Sequence, residues 1–139
     1  MKKLCLLFIL ILTSCHEVSP SQRIDRYEYD DVRSYHIRLE EVFLHKEESY
    51  YIYFYQVDCY FCHGIKTKMI DFALHNGNIV YFVEVDKKVE SLSFDRYSTL
   101  NTSDYRYAFA NVTPQLSLVV SHVIKETYIG QQEILIIIE

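Results

Sequence analysis

The chain has 139 residues, half of them hydrophobic, which is enough for one domain with an ordinary core and excludes a second. Its formal charge is −5, and no basic stripe with interleaved aromatics occurs, so phosphate backbones are excluded as partners and no nucleic acid is expected.

The first element in chain order is an export leader over residues 1–14. Lys2 and Lys3 make a basic start, Leu4 to Leu12 an apolar stretch, and Leu12-Thr13-Ser14-Cys15 closes it. The apolar run is far short of the roughly 20 residues that span a bilayer, and the closing tetrad resembles a lipobox. That resemblance implies cleavage before Cys15, acylation of Cys15, and a protein held by lipid on the outer side of a bacterial cell membrane. Cleavage removes two lysines and no acid, so the mature chain is more acidic still. Of the four cysteines, Cys5 then leaves with the leader and Cys15 takes the lipid. Cys59 and Cys62 are left as the thiols of an exported, disulfide-permissive chain. Bridging positions three apart closes too small a loop to stabilise much, so this pair suits chemistry better than stapling.

Residues 15–31 are polar, contain Pro20 and lack apolar periodicity, which predicts a tether to a domain over 32–139. Tyr35, Leu39, Val42 and Phe43 recur at helical intervals among charges and predict an amphipathic helix from Val32 to Lys46. Tyr50 to Tyr55 is an unbroken aromatic and aliphatic run, the pattern of a central strand buried on both faces. After Cys59-Tyr60-Phe61-Cys62 come Ile65, Met69, Phe72 and Ala73 at helical spacing, ending at Asn76-Gly77. Ile79 to Val85 is the next strand. Strand, helix and strand in that order predict a parallel crossover. The stretch 87–111 is irregular, with a short helix expected around Asp104 to Ala110. After Thr113-Pro114 two strands, Gln115 to Val120 and Val123 to Ile129, form a hairpin across Ser121-His122, and Gly130 releases a last helix, Gln131 to Ile138.

A buried strand that delivers C-x-x-C to the start of a helix has a chemical rationale. Unpaired amides at the helix N-terminus favour a thiolate on the first cysteine, and the second lies one turn on, within reach of a mixed disulfide. With this strand and dithiol in place, the sequence resembles the thioredoxin superfamily over nearly all of the mature chain. A second mark is Val112-Thr113-Pro114-Gln115-Leu116, which is similar to the cis-proline segment that thioredoxin-like proteins set opposite their dithiol. Sixteen positions separate Pro114 from Gly130, as thioredoxins separate their cis-proline from the glycine after the last strand. Phe54 to Cys62 loosely resembles the small thioredoxin-like proteins grouped as bacteriocin transport accessory proteins.

The resemblance implies an α/β fold with a central mixed sheet of about four strands flanked by helices. It implies a thiol–disulfide oxidoreductase in which Cys59 attacks, Cys62 resolves, and Thr113 with Pro114 forms a ledge for a substrate chain. Its partners would be thiols or disulfides of exported proteins, with a redox partner protein to reset it; no cofactor and no metal are implied. Asp58 disfavours the neighbouring thiolate and His63 sits in the first helical turn, so both are candidate modulators. The departures are specific. Tyr53 stands where thioredoxin has its buried aspartate, and Phe82 where it has the partner lysine, which leaves water, His63 or Glu84 to take the resolving thiol's proton.

Three other readings stay open. Cys59 to His63 also spells the haem c attachment motif, with His75 or His122 as a distal axial ligand. A zinc site would need the same histidines at no recognised spacing. A thioredoxin-fold binding or scaffold module with vestigial thiols would need neither the acid nor the Trp that thioredoxin has where Asp58 stands.

Overall fold

The computed structural model describes residues 27–139 except 87, 88 and 90; the leader, Cys15 and most of the expected tether lie outside the described residues. Four strands make one sheet: β1 (Ser49–Tyr55), β2 (Val80–Glu84), β3 (Gln115–Val120) and β4 (Val123–Ile129), in the order β2-β1-β3-β4. β1 pairs with β2 in parallel and with β3 antiparallel, and β3 pairs with β4 antiparallel. Among the described residues three α-helices accompany the sheet: α1 (Tyr60–His75), α2 (Arg96–Thr99) and α3 (Gln131–Ile138).

β1 sits inside the sheet because both its faces are apolar. Tyr53 and Tyr55 point into a layer with Cys62, Ile65, Met69 and Ile70 of α1 and Ile134 of α3, while Tyr50, Ile52 and Phe54 point into a second layer with Val83, Ala108, Phe109 and Val119. The two-residue period of a strand thus splits one aromatic run between two cores. Sixteen residues of α1 carry the chain from β1 to β2, the crossover length that a parallel pair requires. α1 ends at Asn76, and Gly77 at φ +70 supplies the left-handed residue that turns the chain out. The β3–β4 turn places Ser121 (φ 50) and His122 (φ 63) both in the left-handed region, the geometry of a two-residue hairpin usually built from Asn-Gly.

The expected helix over 32–46 is not formed. Two short 3₁₀ segments, Tyr29–Tyr35 and Leu39–Glu41, stand there instead, broken where His36 bridges to Phe82 and the Ile37 N–H donates to the Phe82 carbonyl at 2.9 Å. An open strand edge offers backbone partners that a helix cannot use, and the edge prevails. The first segment also begins inside the expected tether: Tyr27 and Tyr29 pack on the α1 layer, and Tyr29 stacks on Tyr55 at 3.9 Å. The expected helix around 104–110 shrinks to a 3₁₀ turn at Tyr105–Tyr107. Beyond it the Gln115 side chain grips the Ala108 carbonyl and the Ala110 N–H, both at 2.8 Å, and holds that backbone out of a helix. α2, capped by Asp95 accepting from the Ser98 N–H at 2.9 Å, was not expected from the sequence.

Candidate active site

β1 ends at Tyr55 and the chain turns at once into α1, so Cys59 becomes the residue that caps the helix. The Cys59 Sγ accepts the Cys62 N–H at 3.2 Å, placing the sulfur on one of the amides that open a helix. Cys59 is half-buried, Cys62 fully buried, and both are free thiols. Burial, with the hydrogen bond to Cys59 as a second cause, pushes the Cys62 thiol up to about 12. The two sulfurs therefore differ in access, and Cys59 is the one a partner can reach.

The far wall is the Thr113–Pro114 segment. Its peptide bond is cis, and the Cys59 thiol donates to the Thr113 carbonyl at 3.7 Å. The register Gln115↔Ile129 sets Pro114 opposite Gly130, whose N–H donates to the Pro114 carbonyl at 2.9 Å. The sixteen-residue interval seen in the sequence is thus the length of the β3–β4 hairpin. Gln56 ties the two walls together: its carbonyl accepts the Cys59 N–H at 3.3 Å, and its Oε1 accepts the Thr113 hydroxyl at 3.3 Å. No sequence signal singled out Gln56.

The proton-handling candidates fall in different places. Tyr53 shares the α1 layer with Cys62, with Phe82 beside it at 5.7 Å between ring centroids. Glu84 accepts from the Tyr55 hydroxyl at 3.4 Å, and the same hydroxyl is 2.8 Å from His36 Nε2. Since one phenol has one proton, His36 Nε2–H is the donor of that contact when Tyr55 donates to Glu84. This trio lines an open groove of about 1100 Å³ at the carboxyl ends of β1 and β2, bordered by Val57. His63 is exposed on the outer side of α1. His75 pairs with Asp71 at the other end of α1, and His122 contacts the Phe43 carbonyl in the hairpin turn, so neither is brought to Cys62-His63. Among the described residues, no three His, Cys, Asp or Glu side chains are grouped as metal ligands, and no helix is long and apolar enough to cross a membrane.

Around the dithiol the rim is apolar. Tyr60 is 82% exposed and Phe61 57%, with Val57 and Val112 exposed nearby in sequence to Cys59 and Thr113. Within the stretch 87–111 the Asn111 side chain donates to the Ser91 and Ser93 carbonyls at 3.2 and 2.8 Å, which folds the stretch back on itself one residue ahead of Val112.

Sheet order, the parallel crossover and the cis-proline wall facing a helix-capping dithiol define the fold, which is thioredoxin-like. Among solved structures, it is similar to mitochondrial thioredoxin 3 of Saccharomyces cerevisiae in its oxidised form (13% identity, TM-score 0.48, 73% of this chain and 87% of that one). It is also similar to thioredoxin f2 of Chlamydomonas reinhardtii (15%, 0.49, 73% and 88%) and to oxidised thioredoxin O2 of Arabidopsis thaliana (14%, 0.46, 75% and 90%). No protein-family model and no curated protein matches the sequence.

Proposed function

We propose that the chain is a thiol–disulfide oxidoreductase, tethered outside the cell membrane by lipid on Cys15, that exchanges disulfides with exported proteins and is reset by a redox partner. The observation that carries the chemistry is the position of Cys59: half-buried, on the opening amides of α1, and against the carbonyl of Thr113. In that place Cys59 is the attacking sulfur and Cys62 the resolving one. A partner strand running along Thr113 and Pro114 would bring its own sulfur in line with Cys59. Lipid attachment is supported by the leader and its Leu12-Thr13-Ser14-Cys15 close. The likeness of Phe54 to Cys62 to bacteriocin transport accessory proteins agrees with an exported setting and assigns no substrate.

The test is the asymmetry of the two cysteines. Cys62→Ser should accumulate mixed disulfides with client proteins on non-reducing gels of acid-quenched, alkylated membranes, and Cys59→Ser should form few. Equal adducts from both would reverse or erase the roles. No adducts from either would favour a binding module with idle thiols. Cys15→Ala should leave the protein unprocessed or released from membranes; normal processing with full retention would remove the lipid anchor.

A further inference from the structure

Phe94 is 87% exposed and Leu92 45%, so neither side chain adds much to the core. The backbone that carries them is nevertheless held throughout. The Leu92 N–H donates to the Arg106 carbonyl at 2.7 Å, the carbonyls of Ser91 and Ser93 accept from the Asn111 side chain, and the Ser93 hydroxyl donates to the Tyr107 carbonyl at 2.7 Å. The Phe94 and Asp95 N–H groups both donate to the Ser98 hydroxyl at 3.1 Å. Fixing this backbone costs conformational entropy, and burial of Phe94 does not offset it. An apolar side chain ordered before contact offers a partner affinity, because part of the ordering cost of association is already met.

Two ties set this segment beside the dithiol ledge. At one end the Ser93 carbonyl holds Asn111, which stands two residues before Thr113 and so within about 7 Å of it. At the other end Arg96 pairs with Glu133 at 2.6 Å, Glu133 accepts the Ile129 N–H at 3.0 Å, and Gly130, the next residue, donates to the Pro114 carbonyl. Val112, itself exposed, continues the apolar surface from Asn111 to Thr113. The charges of the segment are engaged within the chain: Asp95 caps α2, Arg96 holds Glu133, and Arg106 holds Asp104. What it offers a partner is therefore apolar.

We propose that Phe94, assisted by Leu92, is a specificity-determining residue that takes an apolar or aromatic side chain from an extended client segment, a few positions from the cysteine that Cys59 attacks. The proposal rests on the oxidoreductase reading above. A client strand lying along Thr113 rises about 3.3 Å per residue, so side chains about two to four positions from its cysteine come abreast of Asn111 and the residues it holds. Folded proteins bury such side chains, so this surface favours exported chains that have yet to fold.

The experiment uses the full-length chain in lipid nanodiscs, free of detergent, and two peptides whose single cysteine carries a pyridylthio group. One peptide has Phe about three positions to either side of the cysteine, and the other has Ser there. In a Cys62→Ser chain the Cys59 thiolate attacks the peptide sulfur. The Cys59–peptide bond forms as the bond to the pyridine sulfur breaks, and the pyridinethiolate leaves with the electron pair, takes a proton from solvent and is read by its absorbance. Dipyridyl disulfide, which has no peptide, is the internal reference. The Phe peptide should reach half-saturation at a concentration about ten-fold lower than the Ser peptide, as burial of one aromatic ring gives. Adding Phe94→Ser should erase that preference and Leu92→Ser should lessen it, both with an unchanged reference rate. Ile136→Ser, which removes an exposed apolar side chain from α3, should keep it. No preference in the parent, or one that survives Phe94→Ser, overturns the proposal and leaves the oxidoreductase reading intact. A parent that sediments as a dimer and becomes monomeric with Phe94→Ser would assign the surface to a second copy of the chain, and also overturns it. With Cys62 in place, that thiol gives its proton to solvent and attacks the Cys59 sulfur, and the peptide thiolate leaves with the electron pair. A peptide adduct that persists there overturns both.

Discussion

Tyr50 and Tyr53 stand on one strand, are 1% and 0% exposed, and face opposite sides of the sheet. Tyr50 donates its hydroxyl to the Val42 carbonyl at 2.8 Å, whereas the Tyr53 hydroxyl faces another phenol, that of Tyr29. The contrast extends beyond the pair. On the Tyr50 side, Gln115 holds Ala108, Ala110 and Ser117, and Ser117 passes the chain to Thr127 and Thr99 at 3.1 and 2.8 Å. On the Tyr53 side the thiols of Cys59 and Cys62 share the layer with the phenols of Tyr29, Tyr53 and Tyr55. The Tyr50 face ties buried polar side chains to the backbone; the Tyr53 face sets phenols beside the sulfur atoms. A bonded network rigidifies the backbone it holds.

The hardest blow to this comparison is a cavity on the bonded side. Phe54→Ala should cost about 3–5 kcal/mol in denaturant unfolding, with the mixed-disulfide asymmetry of Cys59→Ser and Cys62→Ser unchanged once folded protein is compared. A changed asymmetry would mean that the two faces are coupled. Removing single hydroxyls sharpens the contrast at lower cost. Tyr50→Phe orphans the Val42 carbonyl and should cost about 1–2 kcal/mol, whereas Tyr53→Phe leaves only another phenol without its partner and should cost less. Equal losses would erase the contrast between the two faces.

Alkali should act on both faces. Burial raises Tyr50 to about 12 and holds Tyr53 well above its ordinary value. The folded state therefore keeps phenol protons that the unfolded chain releases above about pH 10. Stability should be complete below that value and fall as pH rises through it, with phenolate absorbance and unfolding appearing together. The smallest effect lies in mild acid. Burial lowers His36 and His45, so the unfolded chain binds protons first and stability should decline as pH falls through about 6.5. His36→Asn should flatten the melting-temperature slope between neutral and mildly acidic pH.

What the sequence made legible follows the same division. β1, β3, β4, α1 and α3 were readable because long apolar runs and helical spacing dominate there, and the hairpin's length explains the Pro114-to-Gly130 interval. Residues 32–46 misled because their helical spacing is real while the backbone partner that overrides it, Phe82, is about 45 positions away in sequence. Cys59, Cys62, Thr113 and Pro114 were found by motif. Tyr53 was visible as a substitution at a known place in the pattern. Tyr29 was missed because it lies in a polar stretch that reads as a tether, and Gln56 because its task is to join two distant walls.

The bridge from His36 and Ile37 to Phe82 has one more consequence, for self-association. It covers the outer edge of β2, leaving β4 as the sheet's other border, and β4 carries Lys125 and Glu126 exposed in mid-strand, charges that discourage pairing with another sheet. Proteolytic removal of residues 27–37 would uncover Val80 to Glu84, an apolar border without such charges before its last residue. The trimmed chain should then form dimers and larger species by edge-to-edge addition, which size-exclusion chromatography of the trimmed and intact chains would show.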